Sequence, residues 1–250
     1  MRIKLVLEYD GTPFAGWQSQ NHAVTVQGVV QDALKTLTGQ DKTVHAAGRT
    51  DAGVHASGQV IHLDHDGLPL RAFVHGVNAH LRPWPVVVLS ANTVPETFHA
   101  RFSAVQRRYC YRILHRKAPS PLRAPFVDHY AGPLDVGMMN NAAQRLVGTH
   151  DFSAFRCAAC QAPSAIKTLD EARIEVMEDE LHLHFAAKSF LHNQVRIMVG
   201  TLLDIGRGQK TLDDLHRALI TGDRRLAGAT RPPQGLTLVE VRYGDEGTSA

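Results

Sequence analysis

Apolar and polar residues follow two different periods in the first half of the chain. Residues 2–9 alternate apolar and polar side chains, which predicts a β-strand. Thr25 precedes apolar positions at helical spacing that end at Gly39, a pattern typical of a capped helix. Further apolar segments predict a helix at 70–80 and strands at 43–46, 59–63 and 86–91. The links between these elements are short, which favours a mostly antiparallel sheet.

The second half of the chain repeats this mixture of periods. Period-two spacing from Val105 to Ile113 predicts a strand, and two apolar segments around Glu178-Asp179-Glu180 predict a hairpin. Helices are predicted at 135–146, 191–206 and 212–221, and a last strand at 236–243. The tail from Asp245 is predicted to be disordered. We therefore predict an α+β fold of two related subdomains, residues 1–103 and 104–250, whose mostly antiparallel sheets are flanked by helices.

The composition is ordinary for a globular protein of 250 residues, with 44% hydrophobic and 20% charged residues. Lys4 and Glu8 interrupt the first apolar segment, so no signal peptide is predicted. No apolar run approaches the roughly 18 residues that a membrane-spanning helix needs. The three cysteines do not suggest a disulfide scaffold. A cytoplasmic protein without a membrane partner is expected.

Charge is distributed unevenly, although the formal net charge is only +3. Residues 101–127 contain seven arginines and lysines and no acidic residue. A segment of one sign creates a local positive field that suits a polyanion such as RNA. The alternative is a solvated basic face without a binding role.

The segment from Ala47 to Ala56 carries the clearest candidate chemistry. Asp51 lies between Arg49 and Gly53, and Gly48 precedes both, which predicts a tight loop that presents a carboxylate beside a fixed positive charge. Such a neighbour keeps a carboxylate ionised when a substrate covers it. The alternative is a turn aspartate that bonds its own backbone or pairs with Arg49 at the surface.

Two other regions carry candidate binding residues. Tyr109 and Tyr111 alternate with arginines, and such a strand can grip phosphates while a ring stacks on an unpaired base. The alternative is a pair of core aromatics. Arg196 lies in an apolar helical stretch, where a buried cation needs an acidic partner, and Asp51 is the obvious one. Alternatively, Arg196 extends to the surface.

Metal and nucleotide motifs are weak in this sequence. Cys157 and Cys160 form a single Cys-x-x-Cys pair without the second pair that a zinc site needs. His182 and His184 share a strand face but lack a third ligand in their segment. The chain has no phosphate-binding loop and no dinucleotide fingerprint. No metal site is therefore predicted.

These motifs together resemble those of the tRNA pseudouridine synthase A family. Gly48-Arg49-Thr50-Asp51-Ala52-Gly53-Val54-His55 is similar to the signature loop of that family. The resemblance covers nearly the whole chain, and its other blocks occur in order: Leu7–Thr12 with Phe14–Gln18, Val26–Gly28, Phe98–Ala104 with Arg108-Tyr109, Asp151–Arg156, Cys160-Gln161 and Phe190–Gly200. Lys167 departs from the pattern, because an arginine is often expected there.

The resemblance implies an isomerase that converts uridine to pseudouridine at positions 38–40 of the tRNA anticodon stem-loop. It implies Asp51 as the nucleophile, Tyr109 as the residue that stacks on the uracil, and Arg49 and Arg196 as basic residues near the carboxylate. It also implies an active-site cleft between the subdomains and a homodimer that binds tRNA. No cofactor is expected, because the reaction needs no redox step and no group donor.

Alternatives remain open at this point. The residues do not decide whether Asp51 attacks C1′ of the ribose, attacks C6 of the base or removes a ribose proton. Two other classes of protein are a non-catalytic RNA-binding module, in which Asp51 is a turn residue, and a histidine-rich metal hydrolase.

Overall fold

The computed structural model describes residues 1–244, so the predicted disordered tail from Asp245 lies outside the described residues. The strands are β1 Arg2–Tyr9, β2 His45–Ala46, β3 His55–Asp64, β4 Val86–Val94, β5 Ala104–His115, β6 Asp128–Tyr130, β7 Gly148–Asp151, β8 Ile166–Met177, β9 Glu180–Ala187 and β10 Leu236–Tyr243. The helices are α1 Val26–Thr38, α2 Leu70–Leu81, α3 Val136–Gln144, α4 Gln194–Gly206 and α5 Leu212–Thr221. None of the helices in this part of the chain is long and apolar enough to cross a membrane.

The chain forms two compact units. The first contains Met1–Arg107 together with the chain from Thr237 onward, and the second contains Arg108–Leu236. The division expected from the sequence assigns the last strand to the second half, whereas the structure groups it with the first. Residues 1–103 and 104–250 as separate domains stay a prediction.

In the first unit, β1 is flanked by β3 and β4 in antiparallel pairs, and β10 pairs with β3 in parallel. Every second residue of β1 is buried, and Ile3, Leu5 and Leu7 form part of the core. Helix α1 begins after Thr25, whose side chain accepts a hydrogen bond from the Gly28 N–H. It ends at Gly39, which adopts the left-handed conformation at φ +69°. The predicted alternation and caps are confirmed here.

In the second unit, β9 lies between β5 and β8, and β7 pairs with the other edge of β8. The pairs β7–β8 and β8–β9 are antiparallel, and short β6 runs parallel to β5. Helix α4 is buried on nearly all sides, as expected of a helix that is apolar all round. Both units therefore mix helices with mostly antiparallel strands, which confirms the coarse fold prediction.

One helix begins later than predicted. The sequence predicts a helix from Leu191, but α4 starts at Gln194. Asn193 adopts φ +63°, a left-handed conformation that cannot continue a helix, and the side chain of Gln194 accepts a hydrogen bond from the Leu191 N–H. Local side-chain bonding therefore replaces the first predicted turn.

Candidate active site

Asp51 lies in the loop between β2 and β3 and is partly buried. Its backbone carbonyl accepts a hydrogen bond from the Val54 N–H at 3.1 Å, which closes a turn. Gly53 takes the positive φ of +75° that this turn requires. Gly48, in contrast, has no positive φ, so of the two glycines that flank Arg49 and Asp51 only Gly53 supplies a left-handed turn position.

The segment between β1 and α1 packs closely against the Asp51 loop. The Trp17 N–H donates to the Thr50 carbonyl at 3.0 Å, and the Gly53 N–H donates to the Phe14 carbonyl at 3.3 Å. Gly16 has φ +99°, and a Cβ at that position would lie 2.8 Å from the Thr50 carbonyl oxygen. Only glycine tolerates both constraints. The block Phe14–Gln18 and the loop Gly48–His55, both of which resemble the family, therefore pack against each other.

Polar side chains hold the buried side of the loop. The hydroxyl of Tyr9 lies 2.8 Å from Oγ1 of Thr50, and burial raises the pKa of Tyr9 to about 12. Gln59 donates to the Gly48 carbonyl at 2.8 Å. Nδ1 of His55 accepts a hydrogen bond from the Gly11 N–H at 3.0 Å. These contacts fix the residues on both sides of Asp51.

Arg107 holds the start of the loop with a buried guanidinium. Its Nη2 donates to the carbonyls of Ala47 at 2.7 Å and Arg101 at 2.6 Å, and its Nη1 donates to Ala104 at 3.2 Å. Its residue surface is only 7% exposed. The sequence suggested a phosphate-gripping arginine at this position, but the structure shows a residue that positions backbone. Sequence reasoning missed this role because the acceptors are carbonyls, which every residue has.

Arg49 lies two residues before Asp51, and its side chain is exposed. The role of Arg49 as the fixed positive charge beside Asp51 stays a prediction. An exposed arginine two residues from Asp51 remains suited to bind a phosphate.

Tyr109 and Tyr111 have different surroundings in the second unit. Tyr111 is fully buried, and its hydroxyl lies 2.9 Å from each of two acceptors, Oδ2 of Asp128 and the Pro232 carbonyl. Tyr109 is only partly buried, and its ring meets that of Phe190 edge to face, with centroids 5.2 Å apart. The core-aromatic alternative therefore holds for Tyr111, while Tyr109 keeps a ring near the surface.

Arg196 lies in the first turn of α4 and is partly buried. Its Nε donates to the Arg231 carbonyl at 2.7 Å, and its Nη1 donates to Oδ1 of Asn193 at 2.9 Å. These two bonds fix the direction of the guanidinium. The predicted ion pair of Arg196 with Asp51 stays a prediction.

The basic segment is largely neutralised within the second unit. Arg108 pairs with Glu171, and Arg112 pairs with Glu180. Arg116 and Arg123 both contact Asp179, and Arg123 also contacts Glu180. The Arg123 hydrogen bond lowers the pKa of Asp179 to about 2. Burial opposes ionisation of Glu180, but hydrogen bonds from Arg112 and His182 still lower its pKa to about 2. The continuous positive field that the sequence predicts is therefore absent along these four arginines.

One group of potential metal ligands lies in the described part of the chain. It consists of Cys110, His182 and His184, whose ligand atoms lie within 4.8 Å of one another. Cys157 and Cys160 belong to no such group among the described residues.

Comparison with known proteins identifies the family. Residues 5–103 and 142–244 match the family model described as tRNA pseudouridine synthase. The chain is 49% identical to tRNA pseudouridine synthase A of Caulobacter vibrioides over 98% of this chain and 99% of that protein. It is 50% identical to the tRNA pseudouridine synthase A of Afipia carboxidovorans over 97% of this chain and 99% of that protein.

Solved structures are more distant. The archaeal box H/ACA sRNP Nop10-Cbf5 complex is similar at a TM-score of 0.36 and 11% identity, over 94% of this chain and 59% of the matched chain. This chain thus spans about three fifths of that protein, and no argument rests on the likeness. The family match and the full-length relatives are decisive by themselves. The chain belongs to the tRNA pseudouridine synthase family.

Proposed function

We propose that this protein isomerises uridine to pseudouridine at positions 38–40 of the tRNA anticodon stem-loop, with Asp51 as the nucleophile. The observation that carries the proposal is the Asp51 loop, whose family-like sequence is held from both sides by hydrogen bonds to Phe14, Trp17 and Arg107. Catalytic groups need such fixed supports, because small displacements of a reacting atom reduce rates strongly.

The reaction breaks the N1–C1′ bond of uridine, rotates the uracil and joins C5 to C1′. C5 loses its proton to solvent and N1 gains one, so the product is an isomer of the substrate. No electrons enter or leave, and no group is donated, which is why no cofactor is proposed. Asp51 supplies a carboxylate oxygen, whether it attacks C1′, attacks C6 or removes a ribose proton. The proposal leaves these three routes open.

The target base must first leave its stack, which costs a few kcal/mol. Tyr109 is proposed to stack on the extruded uracil, because its ring is partly accessible and Phe190 holds it edge to face. Arg196 is proposed to keep Asp51 ionised, and the exposed Arg49 to bind a backbone phosphate. In this proposal the two halves of the chain form an active-site cleft in which these residues converge on the uridine.

The family resemblance also supports a cytoplasmic homodimer that binds tRNA across both copies. Light scattering after size-exclusion chromatography tests the oligomeric state directly. A molar mass of twice 27.5 kDa is expected, and a monomer at all concentrations would contradict this part of the proposal.

The function is tested by release of tritium from tRNA that carries C5-labelled uridine. The wild type is expected to release tritium, and chemical mapping of pseudouridine is expected to place the product at positions 38–40. Asp51→Ala is expected to bind tRNA without releasing tritium. Asp32→Ala, which changes an exposed aspartate of α1, is the matched control and is expected to keep full activity.

Outcomes of this assay separate the alternatives. Binding without tritium release by the wild type indicates a non-catalytic RNA-binding module. Activity of Asp51→Ala at the wild-type rate would remove Asp51 from the mechanism. Full wild-type activity in excess chelator would exclude a histidine-rich metal hydrolase.

A further inference from the structure

Three potential metal ligands meet on neighbouring strands of the second unit. Cys110 lies on β5, and His182 and His184 lie two residues apart on β9. The sulfur of Cys110 and one nitrogen from each histidine all lie within 4.8 Å of one another. The sequence showed only the two histidines and no third ligand in their segment. The pairing of β9 with β5 supplies that third ligand from a residue 72 positions away.

The two histidines have polar surroundings that suit metal ligands. Nε2 of His182 lies 3.0 Å from Oε2 of Glu180. A carboxylate on one ring nitrogen fixes the tautomer and leaves the lone pair of the other nitrogen for a metal. Nε2 of His184 is buried and faces Oε2 of Glu175 at 3.3 Å. A carboxylate therefore lies beside each imidazole, as is common for histidines that bind metals.

We propose that Cys110, His182 and His184 bind a divalent transition-metal ion of the zinc class. One thiolate and two imidazoles are ligands that Zn²⁺ prefers, and three protein ligands leave a fourth position for water or a carboxylate. With zinc–sulfur and zinc–nitrogen distances of about 2.3 and 2.1 Å, tetrahedral ligand atoms lie about 3.5 Å apart. Because the three atoms here lie within 4.8 Å of one another, each pair must approach by about 1.3 Å at most.

Charge and proton balance are compatible with such a site. Two arginines, Arg112 and Arg173, and two glutamates, Glu180 and Glu175, act on the Cys110 thiol, so the carboxylates offset part of the positive charge around the site. Burial raises the pKa of the Cys110 thiol to about 11. The metal must therefore displace the thiol proton when it binds. The resulting bridge joins β5 to β9 and is expected to stabilise the second unit.

The proposal is tested on full-length protein without an affinity tag, first stripped by a chelator. Zn²⁺ binding is measured by competition with a chromophoric chelator, and Co²⁺ is used as a spectroscopic probe. The wild type is expected to bind one ion per chain and to show a thiolate-to-cobalt charge-transfer band. Cys110→Ser should abolish that band. It should also weaken Zn²⁺ binding by more than roughly 10–100-fold, which is the usual loss when a residue that only orients a metal ligand is removed.

Matched variants separate this site from other thiols and imidazoles. Cys157→Ser/Cys160→Ser removes the Cys-x-x-Cys pair and is expected to leave binding and the cobalt band unchanged. His184→Gln should weaken binding as strongly as Cys110→Ser. Glu180→Gln should weaken it by about 10–100-fold, because Glu180 orients His182. Circular dichroism confirms that each variant is folded.

Several results would overturn the proposal. The wild type could fail to bind Zn²⁺ or Co²⁺, or its cobalt spectrum could lack the thiolate band. Wild-type Zn²⁺ affinity in Cys110→Ser would also overturn the proposal. Loss of binding only in Cys157→Ser/Cys160→Ser would assign the metal to the other pair. Tritium release is measured in parallel, and its outcome is independent of the metal result.

Discussion

The Asp51 loop and the basic segment use arginine in opposite ways. In the first unit, buried Arg107 donates to three backbone carbonyls and so fixes the chain that leads to Asp51. In the second unit, Arg112, Arg116 and Arg123 pair with the carboxylates of Asp179 and Glu180 near the surface. Carbonyls do not titrate, whereas carboxylates do. The first region should therefore resist changes of pH and salt, and the second should respond to both.

The largest effect is expected when Arg107 loses its charge. Arg107→Met keeps much of the side-chain volume but leaves three carbonyls without their donor. Unpaired buried acceptors cost about 1–3 kcal/mol each, partly relieved by water, so the free energy of unfolding should fall by about 3 kcal/mol. Urea denaturation measures this loss. Arg112→Met is the control and should lose about 1 kcal/mol or less, because Arg112 is partly exposed and the buried carboxylate of Glu180 keeps Arg123 and His182 as partners.

Tritium release by Arg107→Met shows whether Arg107 affects catalysis in addition to stability. If Arg107 positions the Asp51 loop, kcat should fall while KM for tRNA changes little. A variant with wild-type stability and wild-type kcat would contradict the role of Arg107 as a positioning residue. A fall in activity that follows only the unfolded fraction would indicate a purely structural role.

A smaller loss of stability is expected when alanine replaces Gly16, which packs against the Asp51 loop. Gly16→Ala places a Cβ against the Thr50 carbonyl in a backbone with φ +99°, and such strain costs of order 1–3 kcal/mol. Gly48→Ala is the matched control, since no atom lies within 4 Å of the added Cβ and its φ is not positive. It should change stability by about 0.5 kcal/mol or less. Equal losses in the two variants would show that close packing does not hold the loop.

The smallest effect is expected from acid titration of the second region. Asp179 and Glu180 have folded-state pKa values of about 2, below their ordinary values of 3.8 and 4.5. Groups with a lowered pKa stabilise the fold above the unfolded-state value and lose that contribution as the pH falls through the folded-state value. The wild type should therefore lose stability between about pH 4.5 and pH 2.

Asp179→Asn/Glu180→Gln checks this assignment. The slope of thermal stability against pH should be flatter in the double variant than in the wild type over the same interval. High salt should reduce the difference, because the pairs are partly exposed. Identical slopes in the two proteins would place the acid-sensitive groups elsewhere.

Periodicity predicted most strands and helices, because caps and alternation are local properties of the sequence. The start of α4 could not be predicted in the same way, because it depends on the left-handed conformation of Asn193. The two tyrosines of β5 also looked alike in sequence. Only the burial of Tyr111 against Asp128 separates it from Tyr109.

Long-range partners limited the prediction of the site. The basic segment is free of acidic residues, yet its arginines find carboxylates more than 50 residues away in the β8–β9 hairpin. The Arg107 guanidinium donates to backbone carbonyls, which every residue has, so the sequence does not show which residues accept these bonds. Cys110 completes a ligand group with His182 and His184 only because β5 and β9 are neighbours. The family-like string around Asp51, in contrast, was identifiable because it is contiguous.

The central claim is that the charge on Asp51 performs the chemistry. Asp51→Asn keeps the shape of the side chain and removes the charge, so it tests the claim without disturbing the loop. Single-turnover tritium release from C5-labelled tRNA is measured with enzyme in excess, together with tRNA affinity. We expect no release above the enzyme-free background, with Kd for tRNA within about tenfold of the wild-type value. Release by Asp51→Asn at a rate near that of the wild type would contradict it.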